Sequence, residues 1–120
     1  AQAWNAVPVG EQERVIGRTK ADSVELDPRP ETAHAARTDQ DDFGKIFRRN
    51  VAYGSAQEHG TMFVGFCQRK APLADMLDSM AGRGGVRDDL TRYTTPLTGA
   101  YYFVPALDDL AILAPPDAED

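Results

Sequence analysis

Two strand-length segments joined by a turn constrain this chain more than any other feature. In FGKIFRRN, Phe43 to Asn50, alternation puts Phe43, Lys45, Phe47 and Arg49 on one face of a strand. Gly44, Ile46, Arg48 and Asn50 fall on the other. The turn-rich connection YGSAQEHG leads into TMFVGFC, Thr61 to Cys67. That nearly continuous apolar run is the pattern of a strand covered on both faces. A hairpin of this kind predicts an antiparallel sheet.

Helices flank it. PVGEQERVIGR, Pro8 to Arg18, has acidic residues early, Val15 and Ile16 as apolar anchors, and Gly17 as a stop. PLADMLDSMAG is the clearest amphipathic helix, with Leu73, Met76, Leu77, Met80 and Ala81 in one stripe that would pack on the sheet. VRDDLTRY is read as a second helix after the GRGG loop, and AYYFVP, Ala100 to Pro105, as a third strand. DPRPE, with two prolines, forms a loop. The GRGG loop lacks the Lys-Ser/Thr of a phosphate loop. The fold class expected is α+β, an antiparallel sheet with helices on one face.

A chain of 120 residues is a single domain. We place it at residues 1–114, followed by an acidic tail over 115–120 expected to be disordered. Thirteen Lys and Arg against nineteen Asp and Glu give a net charge of -6, with the basic residues scattered. That balance argues against nucleic acid as a partner. No apolar run reaches bilayer-spanning length, so no membrane role is expected. The one cysteine, Cys67, excludes an internal disulfide, reads as a packed core thiol, and suits a reducing, cytoplasmic location. The chain opens on Ala in AQAWNAVPVG, with no turn or cap, and is expected to be a piece of something longer.

Candidate chemistry is sparse. His34 in TAHAAR lies between small alanines that would let a bulky group approach, and a neutral imidazole ligates iron or another metal through one ring nitrogen. The plainer role is a loop or cap histidine. His59, in QEHG, reads as a solvent-exposed turn residue. Arg48 and Asn50 share a strand face, and an arginine aimed into an apolar site must be paired or face an anion. The plainer role is an edge-strand arginine in water. Asp88 and Asp89 follow the Gly-rich loop, where helix capping is the ordinary task. Spacing alone decides none of these.

Taken together, EQERVIGRTKADSVELD, AHAAR, KIFRRNVAYG, EHGTMFVGFC and LTGAYYFVP resemble the C-terminal half of the dye-decolorising haem peroxidases, closest to the bacterial B-type branch. The resemblance runs from about Trp4 to Leu110, with the motifs in family order. It implies a ferredoxin-like α+β half that holds haem b, with hydrogen peroxide as oxidant and a dye, phenol or metal ion as reductant. It further implies His34 as the axial ligand of the haem iron, with Asp88 rather than Asp89 accepting its second N–H. Arg48 and Asn50 become catalytic residues of the opposite face, Arg48 also touching the cofactor, and Phe63 becomes part of the haem wall. The implied partner is the N-terminal half of the peroxidase, or a second copy of this chain.

Two departures qualify the resemblance. The family's Gly-x-x-Asp-Gly motif, which carries the distal aspartate in the N-terminal half, does not occur here. NVAYG also has Ala52 where the family pattern has proline, a change expected to affect turn rigidity only. Two other functions stay open at this stage: a non-catalytic haem-binding chain, and an α+β interaction module without cofactor.

Overall fold

The computed structural model describes residues 2–113. Its centre is an antiparallel hairpin of β1 (Phe47–Gly54) and β2 (His59–Phe66), in a register that sets Arg48 opposite Gly65 and Asn50 opposite Phe63. Opposed residues share a face, so Arg48, Asn50, Phe63 and Gly65 lie together. Phe47, Arg49, Val51, Met62 and Phe66 occupy the other face. Gly54, at φ 130°, makes the turn; a Cβ there would sit 2.2 Å from the Glu58 carbonyl oxygen.

Before the hairpin come α1 (Gln2–Asn5), α2 (Val9–Ile16), α3 (His34–Arg37) and α4 (Gln40–Phe43). Gln12 is buried inside this group: its Nε2 donates to the carbonyls of Trp4 and Val7 at 3.0 and 2.9 Å, and its Oε1 accepts from Lys20 Nζ. Gly17 ends α2 in the left-handed conformation, φ 86°, and packs against Ala33 and Ala35. After the hairpin, α5 (Ala71–Ala81) runs beside α3 and α4, and Gly82 closes it at φ 79°. Leu73 of α5 reaches Gly65, so α5 meets the Arg48 face of the hairpin at the Gly65 end. The core is small: Val15, Ala33, Ala36, Ile46 and Met76 are its buried apolar side chains among the described residues.

The α+β expectation and the antiparallel pairing agree with this architecture. Several local readings do not. The first strand begins at Phe47, not Phe43, because Asp39 accepts the Asp41 N–H and caps α4 over Gln40–Phe43. VRDDLTRY forms only a 3-10 turn, Asp89–Arg92, because Asp88 caps it from an extended backbone. The stripe on α5 is only partly covered: Met76 is buried, whereas Leu77 is exposed, and α5 lies mainly against α3 and α4. β2 is not covered on both faces, since Met62, Phe63 and Phe66 are half exposed or more. Cys67 is accordingly no core thiol; it is partly exposed and its Sγ–H donates to the Arg69 carbonyl.

The predicted third strand is absent. Residues 100–105 are irregular, with Tyr102 and Phe103 more than four-fifths exposed. A strand exists only where another supplies the second half of its hydrogen bonds, and the described residues offer this segment none. Helix α6 (Leu107–Leu113) follows it, exposed throughout. The acidic tail expected over 115–120 lies outside the described residues.

Candidate functional site

His34 opens α3, and its position is set by what packs around that helix. Ala33, before it, is fully buried against Gly17, which would not admit a Cβ without meeting Ala33 Cβ at 3.0 Å. The small alanines therefore seat α3 on the end of α2, a different use from the room for a bulky group expected of them. Behind α3 lies the backbone after α5. The Asp88 N–H donates to the Met80 carbonyl at 3.2 Å, and the Asp89 N–H donates to the Thr32 carbonyl at 2.9 Å. An edge-on contact of Trp4 with Tyr93, centroids 5.0 Å apart, holds the far side of the 3-10 turn.

This framework buries Asp88 completely and divides its two oxygens. Oδ1 accepts the Leu90 N–H at 2.8 Å, and Oδ2 lies 2.7 Å from His34 Nδ1. A carboxylate oxygen accepts, so Nδ1 carries the ring proton and Nε2 keeps its lone pair. The His34 side chain is 33% exposed, and Nε2 has no hydrogen-bond partner among the described residues. Asp89 points the other way, to Arg92 at 2.9 Å. The Thr32 hydroxyl beside it, helped by Arg92, holds its carboxyl below the usual carboxylate range. Geometry thus separates two adjacent acids that composition cannot.

Arg48 turns inward from β1. Its Nη1 donates to the Thr38 carbonyl at 3.2 Å and lies 3.9 Å from Met76 Sδ. Thr38 is buried, and its hydroxyl donates to the His34 carbonyl at 2.8 Å. Thr38 therefore stands between the histidine and the arginine, a residue that sequence reading passed over. The available signal was its position four residues after His34, where threonine bonds back to the preceding turn. Asn50 and Phe63 are exposed neighbours across the ladder, and the Phe63 ring lies over Gly65. His59 is exposed, as expected, at the start of β2. The structure brings His34 to Asp88 and groups Arg48, Asn50 and Phe63 on one sheet face. It makes no direct hydrogen bond between these two sets.

A second ionic group braces the loop leading to α3. Arg29 pairs with Glu25 and, at 2.9 Å, with Asp39. The Asp41 N–H, then the Arg29 guanidinium, hold the Asp39 carboxyl below its ordinary range.

An iron-porphyrin asks little of a polypeptide's coordinating groups: one axial nitrogen, oriented and made basic by a second hydrogen bond. The His34–Asp88 pair meets that demand. No trio of His, Cys, Asp or Glu side chains converges on a common point among the described residues.

Comparison with known proteins follows the same line. Residues 1–109 match the family described as Dyp-type peroxidase, C-terminal. The chain is 37% identical over 118 residues to a dye-decolorizing peroxidase of Mycobacterium tuberculosis, covering 90% of this chain and 35% of that protein. It is 37% identical over 125 residues to one from Rhodococcus erythropolis, covering 96% and 36%. Among solved structures, a dyp-type protein of Shewanella oneidensis superposes with a TM-score of 0.80 at 36% identity, over 91% of this chain and 38% of that one. A dye-decolorizing protein from V. cholerae gives 0.69 at 42% identity, over 76% and 32%. The chain spans about a third of the length of the curated relatives it matches.

Proposed function

The chain belongs to the Dyp-type peroxidases, matching their C-terminal, ferredoxin-like domain, and we propose that it is the haem-holding part of a hydrogen-peroxide-dependent oxidoreductase. Dyp-type peroxidases are haem enzymes; we assign haem b as the cofactor, with His34 as its axial ligand. Bound there, the haem would supply an iron centre able to exchange electrons with peroxide and with a one-electron donor such as a dye, a phenol or a metal ion.

One observation carries this reading: a fully buried carboxylate 2.7 Å from His34 Nδ1. It fixes the tautomer, orients the ring and leaves the Nε2 lone pair free for a metal. Arg48 would place positive charge where the departing peroxide oxygen becomes negative. Asn50, on the same sheet face, would position peroxide or a water that relays its proton. Phe63 would form part of the apolar wall. No described helix is long and apolar enough to cross a membrane. A partly exposed lone thiol suits the cytoplasmic location we assign.

Titration of the chain with haem, followed by absorbance, tests the assignment. A Soret band is expected with the unaltered chain and is expected to vanish in His34→Ala. Stoichiometric haem with an unchanged spectrum in that variant would sink it.

The missing Gly-x-x-Asp-Gly motif favours a second, narrower reading, in which the chain binds haem yet turns over peroxide only beside an N-terminal half. Turnover measured with and without that half separates the two.

A further inference from the structure

Apart from the His34 and Arg48 groups, the structure holds a cavity of about 350 Å³ between α3, α4 and α5, lined by neither residue. Ligand sites of small molecules begin near this size, about 300 Å³. Arg37, the last residue of α3, forms one wall, and its Nε is buried with no hydrogen-bond partner among the described residues. Nε has no accessible surface of its own, so a cavity ligand would meet the terminal Nη groups of the same guanidinium. The guanidinium also has no ion-pair partner within the described residues. It is a charged donor waiting for an acceptor.

The opposite wall is α5. Asp75 and Ser79 lie one helical turn apart on the same face, and neither side chain bonds to another described residue. Phe43 and Val86 supply apolar surface between the two walls. At the rim, Arg83 and Asp78 neutralise each other at 3.1 Å. The set therefore offers one uncompensated cation, one uncompensated carboxylate with a hydroxyl beside it, and flat apolar sides.

We propose that this cavity binds a small aromatic monoacid that also carries a hydroxyl or amino group. The acid accepts from Arg37, the ring lies against Phe43 and Val86, and the second polar group donates to Asp75 or Ser79. A dianion is disfavoured, because its second charge would face Asp75, the carboxylate that no cation compensates. The site is independent of the haem reading, since none of the residues assigned to haem lines it.

Calorimetric titration of the full chain with 4-hydroxybenzoate, without haem, tests the proposal. One saturable site is expected, with Kd at or below about 1 mM. The neutral methyl ester and the dianion terephthalate should each bind about tenfold more weakly or worse, the scale of losing a charge-assisted hydrogen bond. Arg37→Gln should weaken 4-hydroxybenzoate by a similar factor. Ser79→Leu, which fills the cavity from α5, should abolish binding and serves if Arg37→Gln does not fold. Asp75→Asn should cut the advantage of 4-hydroxybenzoate over benzoate. Absence of saturable binding would overturn the proposal. So would binding that survives both Arg37→Gln and Ser79→Leu, or a preference for the neutral ester.

Discussion

At the scale of single residues, His34 and Asp88 sit 54 positions apart in sequence and 2.7 Å apart in space. Asp88 is the N-cap of a 3-10 turn and the partner of an imidazole at once, one oxygen for each task. Asp88→Asn keeps an acceptor for the Leu90 N–H and removes the charge, so folding should survive. Haem affinity should fall by about 10- to 100-fold, the usual cost of losing such a partner, whereas Asp89→Asn should leave it nearly unchanged in the same absorbance titration. The sequence could not choose between these acids by chemistry, since both are aspartates after a flexible loop. Backbone direction at the cap chooses. A second residue-level test concerns Asp39, whose folded-state carboxyl is held down by the Asp41 N–H and by Arg29. A lowered folded pKa stabilises the fold above the ordinary aspartate value of about 3.9, and that stabilisation is lost as pH falls below it. Asn caps helices about as well as Asp. Asp39→Asn should therefore keep α4, lose the charge pair, and show a flatter dependence of melting temperature on pH below about 4.

Among the elements, the ones legible in sequence were those whose signal is local. α2 and α5 announce themselves by apolar spacing and by a glycine stop, and both glycines take a positive φ. The hairpin was legible from alternation and its turn, although α4 takes Phe43, the first residue assigned to its strand. What could not be read is non-local: whether residues 100–105 find a strand to pair with, and whether β2 has a second layer over it. Gly17 shows how an element boundary reaches the site. Its Cβ-free, left-handed backbone lets the end of α2 press on Ala33 and Ala35, one on each side of His34. Gly17→Ala should cost about 1–2 kcal/mol from the left-handed conformation alone, seen as a drop of several degrees in thermal unfolding. Haem affinity should fall with it, as α3 is pushed away from α2.

For the whole molecule, the radius of gyration is 18.7 Å, against about 14 Å for a compact domain of this length. The face of the hairpin turned from the helices exposes Phe47, Val51, Met62 and Phe66, each at 50% or more. A contiguous apolar surface of this kind marks an interaction site, and neither hairpin edge pairs with another strand among the described residues. The proposed function supplies a candidate for it, the N-terminal half of a peroxidase. Val51→Lys with Met62→Lys should weaken association with that half in sedimentation velocity, and should leave haem titration of the isolated chain unchanged because neither residue shares a face with Arg48. Thr38 adds a consequence of a mechanical kind. Its hydroxyl holds the histidine's carbonyl, its own carbonyl holds the arginine, and it is itself buried. The histidine and the arginine are thus hung from one peg. Any load that tilts β1 would reach α3 through the same residue, which makes strand and helix a single lever.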